Sequence, residues 1–170
     1  GLPPISPKDK KKPVASILEA AQLVGKATGL VATSEIMHAT PADFSAHDPS
    51  RKNYDALSEQ QVYQEIDVIL GAGSKFFEAA NRGDGENLLS VIKSNYKYIT
   101  RPSELKTVTS GKLWGMFSDT SLAYEFDRSP EKEPSLAEMT KKAIELLSQD
   151  EDGFFLMVEG SKIDWAAHAN

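Results

Sequence analysis

The chain alternates short, continuous apolar runs with stretches whose apolar residues recur at helical spacing. Leu30-Val31 within 28–33, Val68-Ile69-Leu70, Leu113-Trp114-Gly115-Met116-Phe117 and Phe154-Phe155-Leu156-Met157-Val158 are the apolar runs, and Tyr96-Lys97-Tyr98-Ile99 is a further strand candidate. Runs this short and this uniformly apolar read as strands buried on both faces. Between them lie helical patterns. Ser16 and Glu19 form a capping box, Ile17, Leu18, Ala21 and Val24 share one helical face, and Gly25 is a natural stop. Ser58 and Gln61 form a second box, with Leu57 and Val62 spaced as a hydrophobic staple and a helix end near Ile66. Phe76 to Ala80 reads as a short helix and Leu88 to Asn95 as a longer one. A third box, Ser135 with Glu138, opens a helix whose face is Leu136, Met139, Ala143, Ile144 and Leu147, ending at about Gln149. Residues 1–13 and 119–134 read as loops, and 34–51 is polar without clear periodicity. This alternation predicts an α/β fold: a mostly parallel sheet with helices on both faces, one domain over residues 1–170, with no internal repeat.

Composition narrows the picture only a little. A chain of 170 residues is long enough for one domain with a real core, and 40% hydrophobic with 26% charged residues is ordinary for a globular protein. A net charge of −6 argues against a nucleic-acid partner. The basic cluster Lys8 to Lys12, interrupted by Asp9, reads as a solvated loop. The absence of cysteine excludes disulfides and thiolate zinc sites but leaves the compartment open. No apolar stretch approaches the ~18 residues of a membrane span. The N-terminal Gly1-Leu2-Pro3-Pro4 lacks both an initiator Met and the features of a signal peptide, so the expectation is a processed or excised segment.

Two polar constellations carry candidate chemistry. In the first, Val158-Glu159-Gly160 leads out of an apolar run, Asp164 follows five residues after Glu159, and His168 four residues after that. Asp164 and His168 at i and i+4 face the same side of a helix and can grip one divalent ion, a ligand mix that suits zinc. Glu159, at a strand end, is free to serve a harder, oxygen-preferring ion. The same residues also fit a carboxylate beside a helix N-terminus and a surface histidine, and spacing alone does not separate the two readings. The second constellation is Ile36-Met37-His38-Ala39-Thr40-Pro41-Ala42, followed by His47 and Ser50-Arg51-Lys52. By itself Thr40-Pro41 is a helix start, with Thr as N-cap and Pro at the first helical position, and Arg51 is a surface arginine. Gly71-Ala72-Gly73 lacks the remaining residues of a phosphate-loop fingerprint and reads as a tight turn. In open parallel sheets ligands bind beyond the carboxyl ends of strands, which is where Glu159 and the 34–51 segment are expected to meet.

Taken in order, His-Ala-Thr-Pro-Ala from His38, then Arg51, then Val-Glu-Gly-(x)2-Ile-Asp-(x)3-His from Val158, closely resembles bacterial alkaline phosphatase. Thr28 to Val31, Val68 to Gly73 and Thr140 to Ser148 extend the likeness over nearly the whole chain, as the central part of a larger catalytic domain. The resemblance implies phosphate monoester hydrolysis through a phosphoserine intermediate, zinc and magnesium as cofactors, and inorganic phosphate as a ligand. It implies a homodimer and a periplasmic or secreted location for the full-length protein. It implies that Arg51 clamps phosphate, that Thr40 and Glu159 are ligands of a third, magnesium-type site, and that Asp164 and His168 are ligands of a catalytic zinc. His38 and Trp165 stand where the enteric enzymes carry Asp and Lys. A nitrogen at His38 would tilt the third site toward zinc or cobalt, and Trp165 removes a cation beside phosphate. No stretch matches the family's Asp-Ser-Ala nucleophile element, so the 170-residue chain is expected to be inactive alone. Two other readings remain: a non-catalytic folded fragment, and a related phosphodiesterase or phosphomutase.

Overall fold

The computed structural model describes residues 12–169. Five strands form one sheet: β1 (Ala27–Glu35), β2 (Val68–Ala72), β3 (Lys97–Ile99), β4 (Leu113–Met116) and β5 (Phe154–Glu159), in the order β3-β4-β2-β1-β5. Every neighbouring pair is parallel. Seven helices connect and cover them: α1 (Ile17–Leu23), α2 (Ala39–Ser45), α3 (Tyr54–Tyr63), α4 (Leu88–Asn95), α5 (Pro102–Leu105), α6 (Leu136–Leu147) and α7 (Ser161–His168).

The continuous apolar runs are explained by two cores, one on each face of the sheet. On one face Leu30, Ala32, Ile69, Trp114, Met116 and Met157 pack with Leu18 of α1, Ala42 of α2, Leu57 of α3 and Ile92 of α4. On the other face Val31, Val68, Leu70, Ala72 and Leu113 pack with Leu105 of α5 and with Met139, Ala143 and Leu147 of α6. Alternate residues along the central strands therefore point into different cores, which is why Leu30-Val31-Ala32, Val68 to Leu70 and Leu113-Trp114 are apolar without a break. The expected α/β architecture with both faces covered is the one observed.

Local signals differ in how well they survive. The Ser16 and Ser135 capping boxes form with both reciprocal hydrogen bonds, and Gly25 leaves α1 at φ +82°. Ile17 and Val24 of the expected α1 face are nonetheless largely exposed, at 61% and 66%, while Leu18 and Ala21 are buried. The Ser58–Gln61 box does not form. Both residues lie inside α3, which starts at the Asn53 cap and ends at Tyr63, short of Ile66. Other partners claim these side chains instead: Ser58 Oγ donates to Asp55 O at 3.0 Å within α3 and accepts from Arg82 Nη1 at 2.6 Å, and Gln61 Nε2 donates to Ile36 O at 2.8 Å and to Ser45 Oγ at 2.9 Å. Thr40 is not an N-cap, because α2 opens two residues earlier than expected, at Ala39 behind the His38 cap. The expected short helix at 76–80 is two 3-10 turns, Ser74–Phe77 and Ala79–Asn81. The basic cluster expected to be a solvated loop lies, apart from Lys12, outside the described residues.

Candidate active site

Strand register brings the two candidate segments together. β1 and β5 are neighbours, with Ala32 opposite Glu159, so the segment leaving β1 and the segment leaving β5 emerge side by side at the carboxyl end of the sheet. From β1 the chain turns through Ile36 and Met37, both buried, and presents His38 at the start of α2. From β5 it passes Glu159 and Gly160 into α7.

His38 is the junction of the site. Its ring meets the indole of Trp165 edge-on, with centroids 5.4 Å apart and planes at 66°. Its Nε2 lies 3.2 Å from Arg51 Nη2. A guanidinium has donors only, so Arg51 donates and His38 Nε2 holds the lone pair. That arrangement calls for a neutral imidazole. Burial, followed by the Arg51 charge, lowers the His38 pKa from its ordinary 6.5, while the carboxylates of Glu35 and Glu159 pull it the other way. His38 Nδ1 is buried with no hydrogen-bond partner among the described residues.

Glu159 closes β5 and is oriented by the next turn: Ser161 Oγ donates to its Oε2 at 2.6 Å, from a serine only 2% exposed. Thr40 stands in the first turn of α2, two residues past His38, and is partly exposed. Asp164 and His168 face the same side of α7 as their spacing predicts, with Oδ1 and Nε2 3.4 Å apart, and both project into solvent. Lys162 was not singled out by its sequence context. Its Nζ sits 4.1 Å from the centroid of the Trp165 ring and 2.8 Å from Ser121 Oγ, and burial lowers its pKa. The lysine three residues before a tryptophan on one helix was the available signal.

The structure thus joins His38, Arg51 and Trp165 by direct contact and sets Asp164 beside His168. Among the described residues, the one cluster of three or more acidic or imidazole ligands within ion-binding reach of each other is elsewhere, formed by Glu59, Asp84 and Glu86. Those are solvated carboxylates, and Asp84 is already paired with the buried Arg82 at 2.5 Å.

The parallel sheet with helices on both faces defines an open α/β protein, and the arginine–imidazole pair lies beyond its strand ends, where such folds bind ligands. The chain belongs to the alkaline phosphatase family, whose sequence model matches residues 4–170. Alkaline phosphatase 4 of Bacillus subtilis is 47% identical over 165 residues, covering 94% of this chain and 35% of that protein. Alkaline phosphatase 3 of the same organism is 44% identical over 162 residues, covering 91% of this chain and 34% of that protein. The crystal structure of the cold-active enzyme of a psychrophilic Shewanella superposes with a TM-score of 0.88 at 37% identity, over 100% of this chain and 40% of that one. The chain therefore spans about a third of the length of the curated relatives it matches. No described helix is long and apolar enough to cross a membrane.

Proposed function

We propose that the full-length protein is a metal-dependent phosphomonoesterase and that this chain supplies its phosphate clamp and part of its metal ligands. The observation that carries the reading is the Arg51–His38–Trp165 contact, because it unites two sequence segments that the family motif requires in one place. Arg51 offers a planar fork of donors to two phosphoryl oxygens, and neutral His38 orients that fork without competing for the anion. Glu159, steadied by Ser161, and Thr40 supply hard oxygen donors suited to magnesium. Asp164 and His168 supply the oxygen and nitrogen of a zinc site, and their 3.4 Å separation fits a shared ion. Such ions, when bound, stabilise charge on the entering and leaving oxygens.

His38 also bears on the third metal. Its imidazole would favour zinc or cobalt over magnesium, yet the Nε2 lone pair is engaged by Arg51. A histidine-to-aspartate mutant of the alkaline phosphatase of the Antarctic bacterium TAB5 has been solved with Mg bound in its M3 site. A histidine-to-glutamate mutant of the same enzyme also holds Mg there, and we read His38 as the corresponding residue that sets metal preference in this chain. The substrates are small phosphate monoesters, with inorganic phosphate as product. The full-length protein is a periplasmic or secreted homodimer.

The test is Arg51→Ala in the full-length protein. A charge-assisted bond contributes roughly 1.5–3 kcal/mol, so KM and the inhibition constant for inorganic phosphate should rise about tenfold to a hundredfold. Unchanged phosphate inhibition would show that Arg51 is an ordinary surface residue.

A further inference from the structure

Lys162 and Trp165 stack on consecutive turns of α7, with Nζ 4.1 Å from the indole centroid. The ammonium is also held by the 119–134 loop. Ser121 Oγ lies 2.8 Å from Nζ, and the Tyr124 ring centroid lies 5.0 Å away. The backbone N–H of Lys162 donates to Thr33 Oγ1 at 3.4 Å, which ties the first turn of α7 to β1. Trp165 then abuts His38 at 5.4 Å, and His38 accepts from Arg51 at 3.2 Å. A continuous line of contacts leads from Ser121 through Lys162, Trp165 and His38 to Arg51.

We propose that Lys162 is a positioning residue for phosphate binding: its cation fixes the Trp165 indole, which sets the plane of the His38 ring and so the direction of the Arg51 guanidinium. Arg51 is exposed, and an exposed arginine samples many rotamers. Phosphate capture uses one of them, so a neighbour that selects it lowers the ordering cost of binding. A cation over an indole face is a charge–quadrupole contact, and the edge-to-face meeting of indole and imidazole is a directional one. The line therefore has a charged end, at Lys162, and a directional end, at Arg51. It also places positive charge beside Trp165, where Trp165 itself brings none.

This inference rests on the phosphate-clamp reading of Arg51, and the experiment separates the two. In the full-length protein, Lys162→Met keeps the apolar stem and removes the charge, and Lys162→Arg restores a cation. The probe is inorganic phosphate, its Kd measured by calorimetry, alongside kcat, KM and the NMR resonance of the Trp165 indole N–H. Lys162→Met should weaken phosphate binding roughly threefold to tenfold, raise KM in parallel, leave kcat within about twofold and shift the Trp165 resonance. Lys162→Arg should recover most of that loss, and Lys162→Met should cost nothing further in an Arg51→Ala background. Parental phosphate affinity in Lys162→Met would overturn the proposal. So would an equal loss in the Arg51→Ala background, because Lys162 would then act on phosphate directly. Parental phosphate affinity in Arg51→Ala alone is a different failure: it overturns the clamp, and it can occur while Lys162→Met still shifts Trp165.

Discussion

At the scale of single residues, burial decides what the side chains around the site can do. Burial and then the Arg51 charge lower the His38 pKa, which favours the neutral ring that can accept from a guanidinium. Asp43, one turn further along α2, shows the same force on a carboxyl group. Its Oδ1 is buried without a hydrogen-bond partner among the described residues, and burial raises its pKa from 3.8 to about 6, with the Arg51 charge opposing. The folded state therefore holds the Asp43 proton more tightly than the unfolded chain does. This group's contribution to stability falls as pH rises from about 4 through about 6 and is level above that. An Asp43→Asn variant should match the parent near pH ~4 and exceed its stability near pH ~8, as read by urea unfolding at the two values. A variant weaker than the parent at the higher pH would mean that the carboxylate is used by a partner.

Helices and strands record how closely the layers approach. Trp114 is fully buried in β4, between Phe77 and Tyr96, whose rings meet it edge-on at 5.4 and 5.2 Å. Beside it Gly115 leaves no room: an added Cβ would lie 2.7 Å from Leu70 Cδ2, 2.9 Å from Phe117 Cζ and 3.1 Å from Ile99 Cγ1. Gly115→Ala should destabilise the fold by about 1–3 kcal/mol, seen as a lower urea midpoint at constant slope. A midpoint equal to that of the parent would show that these side chains yield without cost. The helix signals were legible where they were local. The Ser16 and Ser135 boxes involve only a residue and its third neighbour, and both formed. The Ser58–Gln61 box had the same spacing and failed, because Ile36 and Ser45 offered Gln61 better partners inside the core.

For the described residues as a whole, both edges of the sheet are open: β3 pairs only with β4 and β5 only with β1. β5 is the longer and more apolar of the two edge strands. Next to that open edge lies an apolar groove of about 980 Å3 that includes Val158, Ile163 and Ile144, which are 41%, 78% and 44% exposed. An open, apolar strand edge is a template for pairing with another chain. The 170-residue chain by itself should therefore self-associate with rising concentration, and Val158→Lys should shift it toward monomer in sedimentation velocity. Equal association of the two would place the contact elsewhere.

The sequence by itself determined the strands, the parallel class and the order of the motif residues. Continuous apolar runs are needed wherever both strand faces are buried, and capping boxes and the Asp164–His168 pair depend only on neighbours three or four residues apart. Tertiary structure alone decided the strand order, the true start of α3, the edge-on contact of Trp165 with His38, and the capture of Lys162 by Ser121 and the indole. Those contacts join residues far apart in the chain. Which of them form is set by how the layers pack and by which buried polar group reaches a partner first, and no local spacing encodes that competition.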